Sequence, residues 1–159
     1  MSDFIIRDAV TADLAEVVML LREFAAFEKL EQEFRVVESD LAEAVFGAKA
    51  FVYLLVGASE NRLDGIALLY PKFASFRGER SLYLEDLYVR QSERGKGLGL
   101  ALLKAAAKFA VANNFQRLDW QALKWNAPAI DFYRKIGAES DDGNINFRLV
   151  GKNFEDLAL

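Results

Sequence analysis

An α/β domain with a mixed central sheet is predicted by three features of the sequence. Apolar runs of strand length and helix-period segments alternate in the order β-α-α-β-β-β-α-β-α-β. One strand passes through a glycine-rich turn straight into a helix, in LYLEDLYVRQSERGKGLGLALLKAAAKFA, Leu82–Ala110. Hydrophobic residues make up 53% of the chain, with 13 Phe and only 2 Pro, which suits a single packed core spanning residues 1–159.

Each element has a local cause. Phe4, Ile5 and Ile6 open a short strand. Thr11 is placed to cap a helix whose Leu14, Val17, Val18, Leu21 and Phe24 share one face. After the acid-rich EKLEQEF, a second helix starts near Ser39, shows Leu41, Val45 and Phe46 as its apolar side, and ends at Gly47. FVYLLVGA, Phe51–Ala58, reads as a buried strand, ENRLDG as a turn, and IALLYPKF as its antiparallel partner. A further strand, Ser81–Val89, leads into the glycine turn and a helix from about Gly97 to Ala112, which Asn113 and Asn114 end. FQRLDWQAL is a strand, and WNAPAIDFYRKIGA a helix with Asn126 as N-cap, Pro128 in the first turn and Gly137 at its end. NINFRLV closes the sheet as a final strand. Early antiparallel pairing followed by a βαβ crossover at the glycine turn makes the sheet mixed.

Composition excludes several kinds of chemistry. The chain has no Cys and no His, so disulfides, thiolate nucleophiles, imidazole bases and most zinc or iron sites fall away, and no metal site is expected. Acid–base groups must come from Asp, Glu, Tyr, Lys, backbone or water. A net charge of −4, with cations interspersed among acids, argues against a nucleic-acid partner. No apolar run approaches the roughly 18 residues of a membrane span. The opening MSDFIIRDAV lacks the pattern of a signal peptide, so a cytoplasmic protein without membrane attachment is expected.

The turn Arg94-Gly95-Lys96-Gly97-Leu98-Gly99 fits neither familiar phosphate motif. A dinucleotide fingerprint needs a third glycine where Leu100 stands, and a P-loop spacing is absent. It keeps their physical features: a strand, a tight turn with exposed N–H groups, and a helix N-terminus of partial positive charge. Arg94 and Lys96 add two cations, and a diphosphate suits the arrangement best. The plainer alternative is a turn that only lets strand and helix pack closely.

Those six residues resemble the acetyl-CoA signature of the GNAT N-acetyltransferase superfamily. LYLEDLYV before them and WNAPAIDFYRKIGA after them are similar to diamine (spermidine/spermine) acetyltransferases and their thialysine-acetylating relatives. The likeness implies a GNAT fold, helices on both faces of the sheet, acetyl-CoA as cosubstrate, a small cationic amine as acceptor and a homodimer, for which INFRLV offers an edge to pair across. It also implies that the main chain of Leu87 and Val89 pairs with the pantetheine arm, that residues 94–99 hold the diphosphate, and that Asn126 bonds the cofactor arm. Diamine enzymes of the family carry a histidine where this chain has Asp119.

Acetyl transfer to an amine sets two demands. An alkylamine of pKa about 10.4 is almost wholly protonated at neutral pH, a deficit of roughly 4–5 kcal/mol in the reactive form. The departing thiolate needs an acid. The resemblance places Tyr133 there; a phenol of pKa about 10 serves a thiolate of conjugate acid about 8.5 at a cost of about 2 kcal/mol. The bland alternative is an amphipathic core tyrosine. Glu85, a carboxylate in an apolar strand, is the candidate to receive the amine proton through water, with partial burial raising its pKa; the alternative is an ion pair with Arg7, Arg80 or Arg117. Glu85 and Asp86 are the candidate substrate-binding acids. In a regular strand they point to opposite faces, and a bulge, which the family carries here, would change that. With no cysteine for an acyl-enzyme, direct attack in a ternary complex is the expected route. Acetylation of protein lysines or N-termini, and a CoA-binding module without turnover, are the competing readings.

Overall fold

The computed structural model describes residues 4–159, which fall into two units divided after Gln121. In the first unit β1 (Ile5–Asp8), β2 (Tyr53–Ser59), β3 (Arg62–Ala74), β4 (Glu79–Val89) and β5 (Arg117–Trp120) lie in chain order in one five-stranded sheet. The first four strands pair antiparallel, and β5 joins β4 parallel, from Ser81 with Arg117 to Leu84 with Trp120. The mixed sheet and the crossover expected at the glycine turn are the ones formed.

Strand alternation sorts residues onto two covered faces. Leu54, Val56, Ala58, Leu63, Ile66 and Leu68 cluster with Leu14, Val17 and Leu20 of α1 (Leu14–Phe27) and Leu41 of α2 (Glu38–Phe46). The opposite face carries α3 (Leu98–Ala112), so close that a Cβ on Gly57 would stand 2.5 Å from Leu98 Cδ1. Pro71 lies on β3 just past the end of β2, whose last pair is Tyr53 with Leu69, so its missing N–H costs the ladder nothing on that side.

Two sequence expectations are corrected. Thr11 does not cap the first helix; it opens a short 3-10 turn, Thr11–Asp13, and Asp13 closes the start by accepting from the Val10 N–H at 2.7 Å. Asp13 is the better group because it also pairs with Arg7 of β1 at 2.7 Å, tying helix entry to sheet. The final strand expected over NINFRLV, residues 144–150, is not formed; that segment carries no ladder and is followed by α5 (Gly151–Leu157), which periodicity did not reveal. Alternation supplies a face but not hydrogen-bond partners, and a strand needs both. The second unit contains α4 (Ala127–Lys135) and α5. No described helix is long and apolar enough to cross a membrane.

Candidate active site

The ladder between β3 and β4 slips by one residue at a single place. Leu68 pairs with Asp86 and Leu69 with Leu84, so Glu85 is an extra residue with nothing opposite it. This is a β-bulge, and it breaks the alternation that would have set Glu85 and Asp86 on opposite faces. The Glu85 carboxylate accepts from the Tyr70 hydroxyl at 3.0 Å. None of the three arginines that could have neutralised it does so: Arg7 holds Asp13, Arg117 holds Asp119, and Arg80 donates to the Asn113 carbonyl. Glu85 is exposed, not partly buried as expected. In its neighbour Asp86, burial first, then the charges of Glu85 and Glu28, push the carboxyl up to about 7.

Beyond the bulge, β4 turns main-chain groups away from β3, and of these the Val89 carbonyl accepts from Arg94 Nε. The Arg90 N–H donates to the Asp64 carbonyl at 2.8 Å. Hydrogen-bonded positions alternate in an antiparallel pair, so Leu87 and Val89, opposite Ala67 and Gly65, direct their N–H and C=O groups away from β3. Among the described residues, no strand pairs with β4 on that side past Leu84. A thin extended ligand could add there as a strand would.

The glycine turn follows at once. Gly95 and Gly97 have φ of +76° and +88°, the left-handed region that an L side chain rarely adopts, and a Cβ on either would meet no atom within 4 Å. Conformation, not crowding, therefore requires glycine there, and it leaves the turn bare. Gly97 caps α3, with Leu98 buried as its first residue and Gly99 in its first turn. The two cations are held by the protein itself. Arg94 donates from Nε to the Val89 carbonyl at 3.0 Å, its guanidinium 4.3 Å from the Phe27 ring centroid, and Lys96 pairs with Glu93 at 2.8 Å. Glu93 is also held by Arg62 at 2.8 Å.

Sequence reasoning missed the floor beside Glu85. The Tyr70 and Tyr83 rings lie 5.2 Å apart, and the Lys72 ammonium stands 5.5 Å over the Tyr83 ring. Burial, then the Glu85 hydrogen bond and charge, push the Tyr70 phenol up to about 12. Burial and the charges of Glu85 and Asp119 raise Tyr83 likewise. Glu28, at the end of α1, is raised by burial. Asp119 takes a short hydrogen bond from Ser81 and an ion pair from Arg117; burial opposes its charge, but these partners hold its carboxyl below the usual range. The signal available was the i, i+2 spacing of Tyr70 and Lys72 in IALLYPKF, which alternation puts on one face.

The remaining two candidates sit on α4 in the second unit. Asn126 is its N-cap, its side chain accepting from the Ala129 N–H at 3.4 Å, with Pro128 in the first turn. Tyr133 lies one residue after Phe132, ring centroids 5.3 Å apart, and Gly137 ends the helix at φ +88°.

Comparison with known proteins identifies the family and the fold. A model of the acetyltransferase (GNAT) family matches residues 16–138. The thialysine N-epsilon-acetyltransferase of Mus musculus is 32% identical over 164 residues, 96% of each chain. The L-ornithine N5-acetyltransferase of Arabidopsis thaliana is 27% identical over 179 residues, 84% of this chain and 78% of its own. Among solved structures, an integron cassette protein of V. cholerae superposes with a TM-score of 0.80 at 30% identity, covering 99% of this chain and 98% of that one. An aminoglycoside acetyltransferase from a soil metagenome, 22% identical with a TM-score of 0.78, shares the fold over 94% of this chain and 97% of its own.

Proposed function

The chain belongs to the acetyltransferase (GNAT) family, enzymes that use acetyl-CoA, and we propose that it acetylates the primary amine of a small cationic acceptor by direct attack in one ternary complex. The bulge at Glu85 carries the reading. It collects Glu85, Asp86 and Tyr70 beside the stretch of β4 whose main chain is turned outward at Leu87 and Val89.

Acetyl-CoA supplies an activated acetyl group on a thioester, and the residues present fit it. Leu87 and the Val89 N–H would offer strand-like hydrogen bonds to the pantetheine arm, and the Leu87 N–H would donate to the thioester oxygen. Residues 94–99 offer bare N–H groups and a helix N-terminus to the diphosphate. Lys96 and Arg94 add charge, Lys96 by exchanging Glu93 for phosphate while Arg62 keeps Glu93 neutralised. Asn126 bonds the arm, and Tyr133 protonates the thiolate.

On the acceptor side, Glu85 and Asp86 bind the ammonium and take its proton. Glu85 was the sequence candidate for the base. Asp86, with its carboxyl pushed up to about 7 by burial first and the charge of Glu85 second, is better matched to accept a proton near neutral pH. The acceptors named for the mouse and Arabidopsis relatives, thialysine and ornithine, support an amine at the end of a short alkyl chain. The family likeness further supports a homodimer.

Thiol release from acetyl-CoA across ornithine, lysine, thialysine, putrescine, spermidine and a lysine peptide tests the function. Turnover of a small amine, lost in Tyr133→Phe while CoA still binds, supports it. Turnover of the peptide alone would move the acceptor to proteins. CoA binding without turnover of any acceptor would leave a binding module, and no CoA binding would overturn the reading.

A further inference from the structure

The face of the sheet beside Glu85 changes sign along β3. At one end Tyr70 holds Glu85, with Asp86 beside it. Two residues on, about 7 Å along an extended strand, Lys72 lies over the Tyr83 ring. Lys72 is opposite Ser81 on β4, and Ser81 is in turn opposite Arg117 on β5, so both cations stand at the same level of the sheet. Their circumstances differ. Arg117 is shared between Asp119 at 2.7 Å and Glu79 at 3.7 Å. Among the described residues Lys72 makes no close ion pair, although its charge acts on Asp119, and its ammonium rests on the face of Tyr83. Between the acidic and the cationic end lie the two phenol rings, 5.2 Å apart.

A molecule that complements this floor carries an ammonium at one end, an anion at the other and a short apolar chain between. We propose that Lys72 is a specificity-determining residue that receives the α-carboxylate of a basic amino-acid acceptor whose side-chain amine is presented to Glu85 and Asp86. The inference rests on the acetyl-transfer reading and names the class of acceptor. The span of about 7 Å matches a short basic side chain. A charge-assisted hydrogen bond from Lys72 rewards the carboxylate, whereas a diamine or polyamine brings a second ammonium against it and is repelled. Asp119, kept anionic by Arg117, Ser81 and the nearby Lys72, supplies the counter-charge for the α-ammonium.

The test compares ornithine and lysine with putrescine and cadaverine, which are the same amines without the carboxylate. Steady-state kinetics are run with wild type, Lys72→Met and Lys72→Arg, and calorimetry follows lysine binding to the CoA-saturated protein. Wild type is expected to prefer each amino acid to its diamine by about tenfold in kcat/KM. Lys72→Met should bring that ratio near one by raising KM for the amino acids, improve the diamines and weaken lysine binding in the calorimeter, and Lys72→Arg should restore the preference. Equal or better use of diamines by wild type, or an unchanged preference in Lys72→Met, would overturn the assignment while leaving acetyl transfer standing. No turnover of any amine would remove the acetyl-transfer reading and this one with it.

Discussion

The Tyr70 hydroxyl donates to the Glu85 carboxylate at 3.0 Å, at the point where the bulge leaves Glu85 without a residue opposite it on β3. The bond orients an exposed carboxylate that, among the described residues, no arginine holds. Tyr70→Phe keeps the ring contact with Tyr83 and removes only that bond. We expect kcat/KM for the amine to fall about tenfold, the value of one hydrogen bond to a charged group, with CoA affinity unchanged. Equal kinetics in the variant would show that Glu85 needs no orientation.

Asp86 sets the pH response. Its carboxyl is raised from 3.8 to about 7, so as a base it is competent only above that value, and kcat/KM should drop tenfold per unit as pH falls below about 7. Stability moves the other way. A raised carboxyl means that the folded state holds its proton more tightly, so the benefit is full below about 3.8 and is lost as pH climbs through about 7. Asp86→Asn should abolish the acidic limb of the rate profile and raise stability at pH 8 by about 2 kcal/mol in urea unfolding. A rate profile with its limb unmoved in Asp86→Asn would assign that limb to another group.

Tyr133→Phe separates chemistry from binding. Loss of an acid that acts only as the thiolate departs should lower kcat by about 100-fold and leave the Kd for CoA within about twofold. A parallel loss of CoA affinity would mark Tyr133 as a binding residue.

Gly97 and Gly99 should respond oppositely to alanine. Gly97 sits at φ +88°, so Gly97→Ala costs about 1 kcal/mol of stability and weakens CoA binding. Gly99 lies in the first turn of α3, where an added Cβ makes an ordinary 3.7 Å contact with Val89, so Gly99→Ala gains about 1 kcal/mol from helix propensity. Urea unfolding of both variants, with CoA titrated by calorimetry, reads the contrast; equal effects would mean that the left-handed turn relaxes.

Much of this architecture was legible because its causes are local. Apolar period and turn chemistry mark β2, β3, β4 and α3, and Asn126, Pro128 and Gly137 bound α4 where the structure has it. The final strand over residues 144–150 was misread for the complementary reason: INFRLV alternates like a strand, but a ladder depends on a neighbour that alternation does not name.

By itself the sequence determined which residues could do chemistry here: carboxylates and phenols, since it offers no thiol or imidazole, and a bare turn before a helix, since Gly95 and Gly97 permit it. Only the tertiary structure decided which carboxylate is tuned. One register slip between β3 and β4 leaves Glu85 exposed against Tyr70 and Asp86 half-buried beside it, and desolvation and like charge act through space, reaching Asp86 also from Glu28 at the end of α1, which is far away in the chain.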